Sequence, residues 1–344
     1  MKIYCLLIDS LPENSQLTNF LQQKGLKVIP QITNCYTTTS VISLLTGKLP
    51  SDLEQGGIGY ETHYQNKKRG SVNYPWKHQM LTHKLHKKKW KIHLHNCEWF
   101  YETICNDKFL IKSTSCPVPI SKAHDFRQTY EYKKLFLLDD IKNNPFYDNH
   151  KQHIRTIQSK KGNSFHLIKY NQYHDSIIFK TDKQQAIDRI LNLLNCWDFD
   201  EPNSFFYVFS DHHDFTKIDK LCQCPSFLTW AGIKDNTTNP VRIDSNLWIG
   251  DFYTMIMSKF NNEIYCKVIN PPVYFSEDAR ASVDLLNSTT AIACCFIDDK
   301  LIQTSYYKPE NKYYGYLYDL KKKTIQAYPV TFKEILQGRF KWIP

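Results

Sequence analysis

The chain has 344 residues, 42% of them hydrophobic and 14% aromatic, which suits one large packed domain and excludes a disordered chain. No apolar run reaches the roughly 18–20 residues of a membrane helix, and the stretch from Met1 to Asp9 is too short and too soon interrupted for a signal peptide. The net charge of +10 gathers at Lys67–Arg69 and in KLHKKKWK from Lys84 to Lys91; it reads as a solvated face or as attraction to an anionic substrate, and it carries no nucleic-acid motif.

In chain order, Lys2–Ile8 reads as a buried strand ending at Asp9. A helix follows, with Ser10 as its cap, Pro12 in its first turn, Leu17, Phe20 and Leu21 on one face, and Gly25 at its end. Leu26–Ile29 is a second strand. Thr37 to Ser40 lead into an apolar helix through Val41, Ile42, Leu44 and Leu45, closed by Gly47 and Pro50. A helix around His78–His86 precedes a strand at Lys91–Leu94. The segment 101–160 is polar and weakly periodic, so no regular structure is expected there, and it reads as an insertion carrying substrate contacts. Phe165–Tyr170 is a strand, Gln184–Leu194 an amphipathic helix, and Phe205–Phe209 a buried strand just before Asp211. Ala291–Phe296, Lys300–Tyr306 and Tyr313–Asp319 read as antiparallel strands, joined by turns at Asp298-Asp299 and Pro309–Asn311.

Alternating strands and helices imply a mostly parallel sheet covered on both faces, with ligands beyond the carboxyl ends of the strands. The change of character near residue 270 predicts a domain over 1–270 and a small antiparallel subdomain over 271–344 packed on it. The eleven cysteines contain no CxxC pair, which argues against a zinc ribbon. Without an export signal, reduced thiols and a cytoplasmic setting are expected. Oligomeric state is not legible.

Three features carry chemistry. Thr37 opens TTTSVISLLTGKLP, where helix N–H groups and the dipole favour an anionic ester group, although alone the run equally reads as a helix cap. Asp211 and His212 in SDHHD pair a carboxylate with an imidazole, a donor set suited to Zn or Mn. Asp9 adds an acid at the end of the first strand.

Together these residues resemble the alkaline phosphatase/sulfatase superfamily. LLID ending at Asp9, Thr37 before LLTGKLP, and VFSDHH match its N-terminal metal acid, its nucleophile before LLTG-x-x-P, and its late SDH strand end. FHLIKYNQYHD, CPSFLTWAGI and YLYDL match weaker family elements, so the likeness covers nearly the whole chain. It implies an alkaline phosphatase-like three-layer α/β/α sandwich with a small C-terminal antiparallel sheet. It also implies one divalent cation (Mn, Zn or Ca) held by Asp9, Thr37, Asp211 and His212. Thr37 and His174 are then the expected catalytic residues, and His95, Trp99 and His174 the substrate contacts.

The departures shape the expected chemistry. The sulfatase C/S-x-P-x-R motif is absent: Thr37 takes the nucleophile position, and Thr39 and Val41 stand where Pro and Arg would be. Thr cannot become formylglycine. The paired acid of the family is Asp9-Ser10 here, and the extra Asp and His of two-metal phosphodiesterases are missing. The resemblance therefore implies a hydrolase or transferase acting on a phosphate ester or phosphodiester, with a small anionic ester or acidic glycan as substrate. Two alternatives stand beside it: a sulfatase-like sulfuric ester hydrolase of sulfated glycans, and a catalytically silent relative binding an anionic glycan.

Overall fold

The computed structural model describes residues 1–33, 37–48, 78–97, 107–113, 145–178, 181–212, 228–243, 247–261, 273–274, 289–297, 300–307, 312–319 and 324–330. Its strands are β1 (Lys2–Ile8), β2 (Lys27–Ile32), β3 (Lys91–His95), β4 (Leu110–Ser113), β5 (Ser164–Tyr170), β6 (Ser204–Phe209), β7 (Leu228–Asp235), β8 (Leu247–Trp248), β9 (Val273–Tyr274), β10 (Thr289–Ile297), β11 (Lys300–Tyr307), β12 (Lys312–Asp319) and β13 (Thr324–Val330). Its helices are α1 (Ser15–Gln23), α2 (Thr37–Thr46), α3 (Leu81–Lys87), α4 (Pro145–Ser159), α5 (Gln172–Ile178), α6 (Lys183–Leu194) and α7 (Asp251–Asn261).

A mostly parallel eight-stranded sheet runs in the order β4-β3-β5-β1-β6-β7-β2-β8, with β7 antiparallel to β6. The strands from β9 to β13 form a separate antiparallel sheet, ordered β13-β12-β11-β10-β9. The chain divides into two compact units, one of Met1–Val28, Gly70–Ser210 and Ala231–Val241, the other of Ile29–Arg69, Asp211–Trp230 and Arg242–Pro344.

In the first unit β1 is a central strand, paired in parallel with β5 and β6 and buried from Ile3 to Ile8. A strand buried on both faces is expected to be apolar, and IYCLLI from Ile3 to Ile8 is. Register sets His93, His166, Tyr4 and Phe206 side by side on four adjacent strands. Their rings stack, at 4.6 Å for His93–His166, 5.3 Å for Tyr4–His166 and 4.8 Å for Tyr4–Phe206. Tyr170 adds a buried polar bridge: its hydroxyl accepts from Trp197 Nε1 at 2.9 Å and lies 3.2 Å from His150 Nε2.

Two local expectations are corrected. The first helix is capped by Asn14, whose side chain accepts from the Gln16 and Leu17 amides, and not by Ser10. Ser10 sits at φ 63 with its hydroxyl committed to Asp9, so it cannot serve the helix. At the other end Gly25, at φ 80, donates to Gln22 O while Leu26 donates to Leu21 O, a left-handed closure that explains the glycine. The segment 101–160 also holds regular structure: β4 pairs with β3, and α4 buries His150, Ile154 and Ile157. That face has helical spacing, but two of its inward residues are histidines, which mask the apolar period. The turns at Asp298-Asp299 and Pro309–Asn311 lie outside the described residues. Lys87, Lys88, Lys89 and Lys91 are exposed, as a solvated face requires.

A buried acid fastens the strands to α4. Glu201 accepts from Lys2 Nζ at 2.6 Å, Tyr4 OH at 2.8 Å and Gln158 Nε2 at 2.9 Å, and Lys2 also donates to Gln158 O. Replacing Glu201 by alanine strips the buried Tyr4 hydroxyl of its acceptor, while Lys2 keeps a carbonyl. The expected loss is about 2–3 kcal/mol of unfolding free energy in urea titration.

In the second unit, Val41, Ile42, Leu44 and Leu45 of α2 are buried. Gly47 ends this helix at φ 66, and a Cβ there would come within 2.7 Å of Tyr253 on α7. Both facts demand glycine, which gives the LLTG run its physical meaning. Asp251 opens α7 and accepts the Trp248 amide at 2.9 Å.

Candidate active site

Asp9 follows β1 directly and is 2% exposed. Its amide donates to Tyr170 O at 3.0 Å, which fixes the turn against β5. Its Oδ1 accepts from Ser10 Oγ at 2.9 Å, and its Oδ2 lies 2.7 Å from Lys169 Nζ. His174, on α5, brings Nδ1 to 3.0 Å from Ser10 Oγ and 3.5 Å from Asp9 Oδ1. The structure thus joins two of the expected residues, Asp9 and His174, through Ser10. Half-buried, His174 stands on a short helix with its imidazole beside the carboxylate, which suits proton exchange or the holding of an anionic oxygen.

Lys169 was missed by sequence reasoning. Its signal was a lone lysine in the buried strand FHLIKY. Register pairs Lys169 with Leu7, and side chains two apart along a strand share a face, so Lys169 and Asp9 point the same way. The pair is buried on both sides, with side chains 8% and 2% exposed.

In the second unit Thr37 is the first residue of α2 and half-buried. One turn later Ser40 Oγ donates to Asp211 O at 2.9 Å, tying the start of this helix to the loop after β6. Asp211 is fully buried, His212 is 5% exposed, and His212 Nε2 lies 3.7 Å from Asp211 Oδ2. Asp9 and Asp211 each follow the last register pair of their strands, Leu7 with Phe209, by two residues. Trp99 lies outside the described residues, as do His213 and Asp214.

His95 closes β3 and is 1% exposed. Both its ring nitrogens face histidines, Nε2 at 3.1 Å from His166 Nδ1 and Nδ1 at 3.1 Å from His153 Nε2. Burial, then the neighbouring histidines, push His95 well below the ordinary imidazole range. Burial and Lys160 bring His93 down to about 4, and burial and His153 bring His150 down to about 3. These rings are neutral when folded and titrate near 6.5 when unfolded. The unfolded chain therefore binds more protons between those values, and folding stability is expected to fall as pH drops from about 6.5 toward 4. Urea midpoints across that range check this, with the loss reduced in His150→Phe.

No family model matches the sequence, and no curated protein matches it. Solved structures do. One is a protein in the alkaline phosphatase superfamily from Vibrio parahaemolyticus, 12% identical, covering 99% of this chain and 84% of that one with a TM-score of 0.55. Others are the C-terminal periplasmic domain of EcEptC from Escherichia coli, 11% identical over 75% and 81% with a TM-score of 0.44, and the lipoteichoic acid synthase LtaP from Listeria monocytogenes, 12% identical over 99% and 88% with a TM-score of 0.43. The chain has the alkaline phosphatase-like α/β fold. No helix among the described residues is long and apolar enough to cross a membrane.

Proposed function

We propose that this chain is a cation-dependent hydrolase or transferase of a phosphate ester or phosphodiester, with Thr37 as its nucleophile. The observation that carries the reading is Thr37 at the head of α2, a helix tied by Ser40 to the loop that bears Asp211 and His212. The N–H groups and the positive dipole end of a helix N-terminus favour an anionic group there.

The proposed donors are two carboxylates, a hydroxyl and an imidazole, from Asp9, Asp211, Thr37 and His212. This mixture of hard and borderline donors fits one Mn, Zn or Ca ion. When bound, such an ion lowers the acidity barrier of a hydroxyl and offsets phosphoryl charge. Thr37, its proton released to solvent beforehand, attacks phosphorus in line through Oγ1 as the alkoxide; the P–O bond to the leaving group breaks, a phosphothreonine forms, and Thr37 leaves again as the alkoxide in the second step. His174 gives a proton to the departing oxygen. Water or an acceptor hydroxyl then displaces Thr37, and His174 recovers the proton. Ser10, hydrogen-bonded to Asp9 and facing His174 Nδ1, holds the imidazole in position. The expected substrate contacts are His95, Trp99 and His174; this reading keeps His174 and Trp99, since His95 is 1% exposed with both ring nitrogens facing histidines.

A division near residue 270 belongs to the same proposal; the five-stranded sheet, whose strands all fall between Val273 and Val330, supports it. A reducing, cytoplasmic compartment belongs to it too, consistent with the unbridged thiol of Cys5. The test is cation content together with turnover of an aryl phosphodiester and an aryl sulfate. Phosphodiester turnover that chelation abolishes is expected; turnover of the sulfate alone would sink the phosphoryl reading.

A further inference from the structure

A second cluster lies against α4 and shares no residue with the Asp9 network. β3 presents His93 and His95 on one face, since residues two apart share a face, and register sets His93 beside His166 of β5. The His93 and His166 rings lie flat on each other, 4.6 Å apart and 9° from parallel. His95 Nε2 points at His166 Nδ1 across 3.1 Å, and His153 of α4 closes over His95 Nδ1. One ligand nitrogen from each of His93, His95 and His166 lies within 4.8 Å of the other two. His166 sits four residues before Tyr170, whose carbonyl takes the Asp9 amide, so the cluster is about 13 Å back along β5 from that turn.

We propose that His93, His95 and His166 form a binding site for a borderline divalent cation of the zinc class, separate from the strand-end site. Packing alone does not ask for these residues. The same cross-strand row continues as Tyr4 and Phe206, and aromatic carbon would fill it equally well. Histidine brings lone pairs that converge.

Ligand orientation is already supplied. His166 Nε2 lies 2.9 Å from Ser164 Oγ, so an Nε2–H donated to Ser164 leaves the Nδ1 lone pair aimed into the cluster. His153 does the same for His95: an Nδ1–H donated to His153 Nε2 frees His95 Nε2. Without an ion, the His95–His166 contact needs a proton between its nitrogens. On binding, the His95 proton sits on Nδ1 and that of His153 on its Nδ1, so no proton is gained or lost. Tetrahedral zinc with Zn–N near 2.05 Å separates its nitrogens by about 3.3 Å. The His95–His166 pair is already near that spacing, and His93, stacked on His166, has to turn its ring to bring a nitrogen to the same ion. Lys2, Lys91 and Lys160 bring positive charge near the rings. With no carboxylate in the set, an anionic fourth ligand entering beside half-buried His153 would complete the shell.

The test is Zn2+ uptake by the full chain after chelation, read by calorimetry and by X-ray absorption at the zinc edge. Wild type is expected to take one equivalent more than His166→Gln, and that difference should show a nitrogen shell with imidazole outer scattering. Ser164→Ala, a milder change, should keep the site but weaken it about tenfold. Equal uptake by wild type and His166→Gln, or an oxygen-dominated difference shell, overturns the proposal. Should His166→Gln fail to fold, unchanged affinity in Ser164→Ala for every zinc equivalent that wild type takes up overturns it equally. An absent strand-end cation lowers the count of both chains alike, so the two readings fail separately.

Discussion

Replacing Thr37 by alanine is expected to lower turnover of an aryl phosphodiester at least about 10³-fold, close to 4 kcal/mol of transition-state stabilisation. The covalent route ends with the hydroxyl, because alanine has no atom to carry the phosphoryl group. The fold should survive: Thr37 is half-buried at the first position of α2, and alanine is the better helix former there. KM should change little, since the groups that hold the ester anion remain. Cation uptake should persist through the two carboxylates and the imidazole, the stronger donors of the set. Thr37→Ser keeps a hydroxyl nucleophile and is expected to retain turnover well above that of Thr37→Ala. Full turnover in Thr37→Ala, measured with cation content in the same sample, would reject the proposed nucleophile.

Lys169→Met carries the second large effect. The ammonium lies 2.7 Å from Asp9 Oδ2 in a pair with side chains 8% and 2% exposed. Removing one partner of a buried pair leaves the other charge without its counterion, and chelated protein should lose about 3–5 kcal/mol of unfolding free energy. Methionine keeps most of the stem volume, so packing loss is a small part of this. A cation at Asp9 replaces the missing charge. Excess cation at about 100 times its Kd should therefore return roughly 2.7 kcal/mol. Its affinity should also exceed that of wild type, because the ammonium no longer competes for the same oxygen. Thermal unfolding with and without chelator separates these outcomes. An identical loss in both conditions would mean that Asp9 is not a cation ligand.

The residues explain why some of this was legible early. β1, β5 and β6 are buried on both faces, so their apolar runs mark them as central strands wherever the rest of the chain goes. Gly47 and Gly25 mark helix ends because their positive φ values are a local demand that the sequence must meet itself. The strand-end positions of Asp9 and Asp211 follow from chain order alone. By contrast, α4 was hidden, because the inward residues described on it include His150 and half-buried His153. A histidine is read as polar until a neighbour is known to take its nitrogens.

Local sequence was enough for the central strands β1, β5 and β6, for the mostly parallel architecture, and for the residue types available for cation and phosphoryl chemistry. Those depend on burial period and on turns closed within a few residues. Tertiary structure alone decided the partners: Lys169 on Asp9, Ser10 between Asp9 and His174, Ser40 on the Asp211 carbonyl, and three histidines from two strands facing one another. Each of these groupings brings together residues from distant parts of the chain through strand register or helix packing. Register shifts by whole residues, and a shift of one turns every side chain to the opposite face, so no local pattern could have specified them.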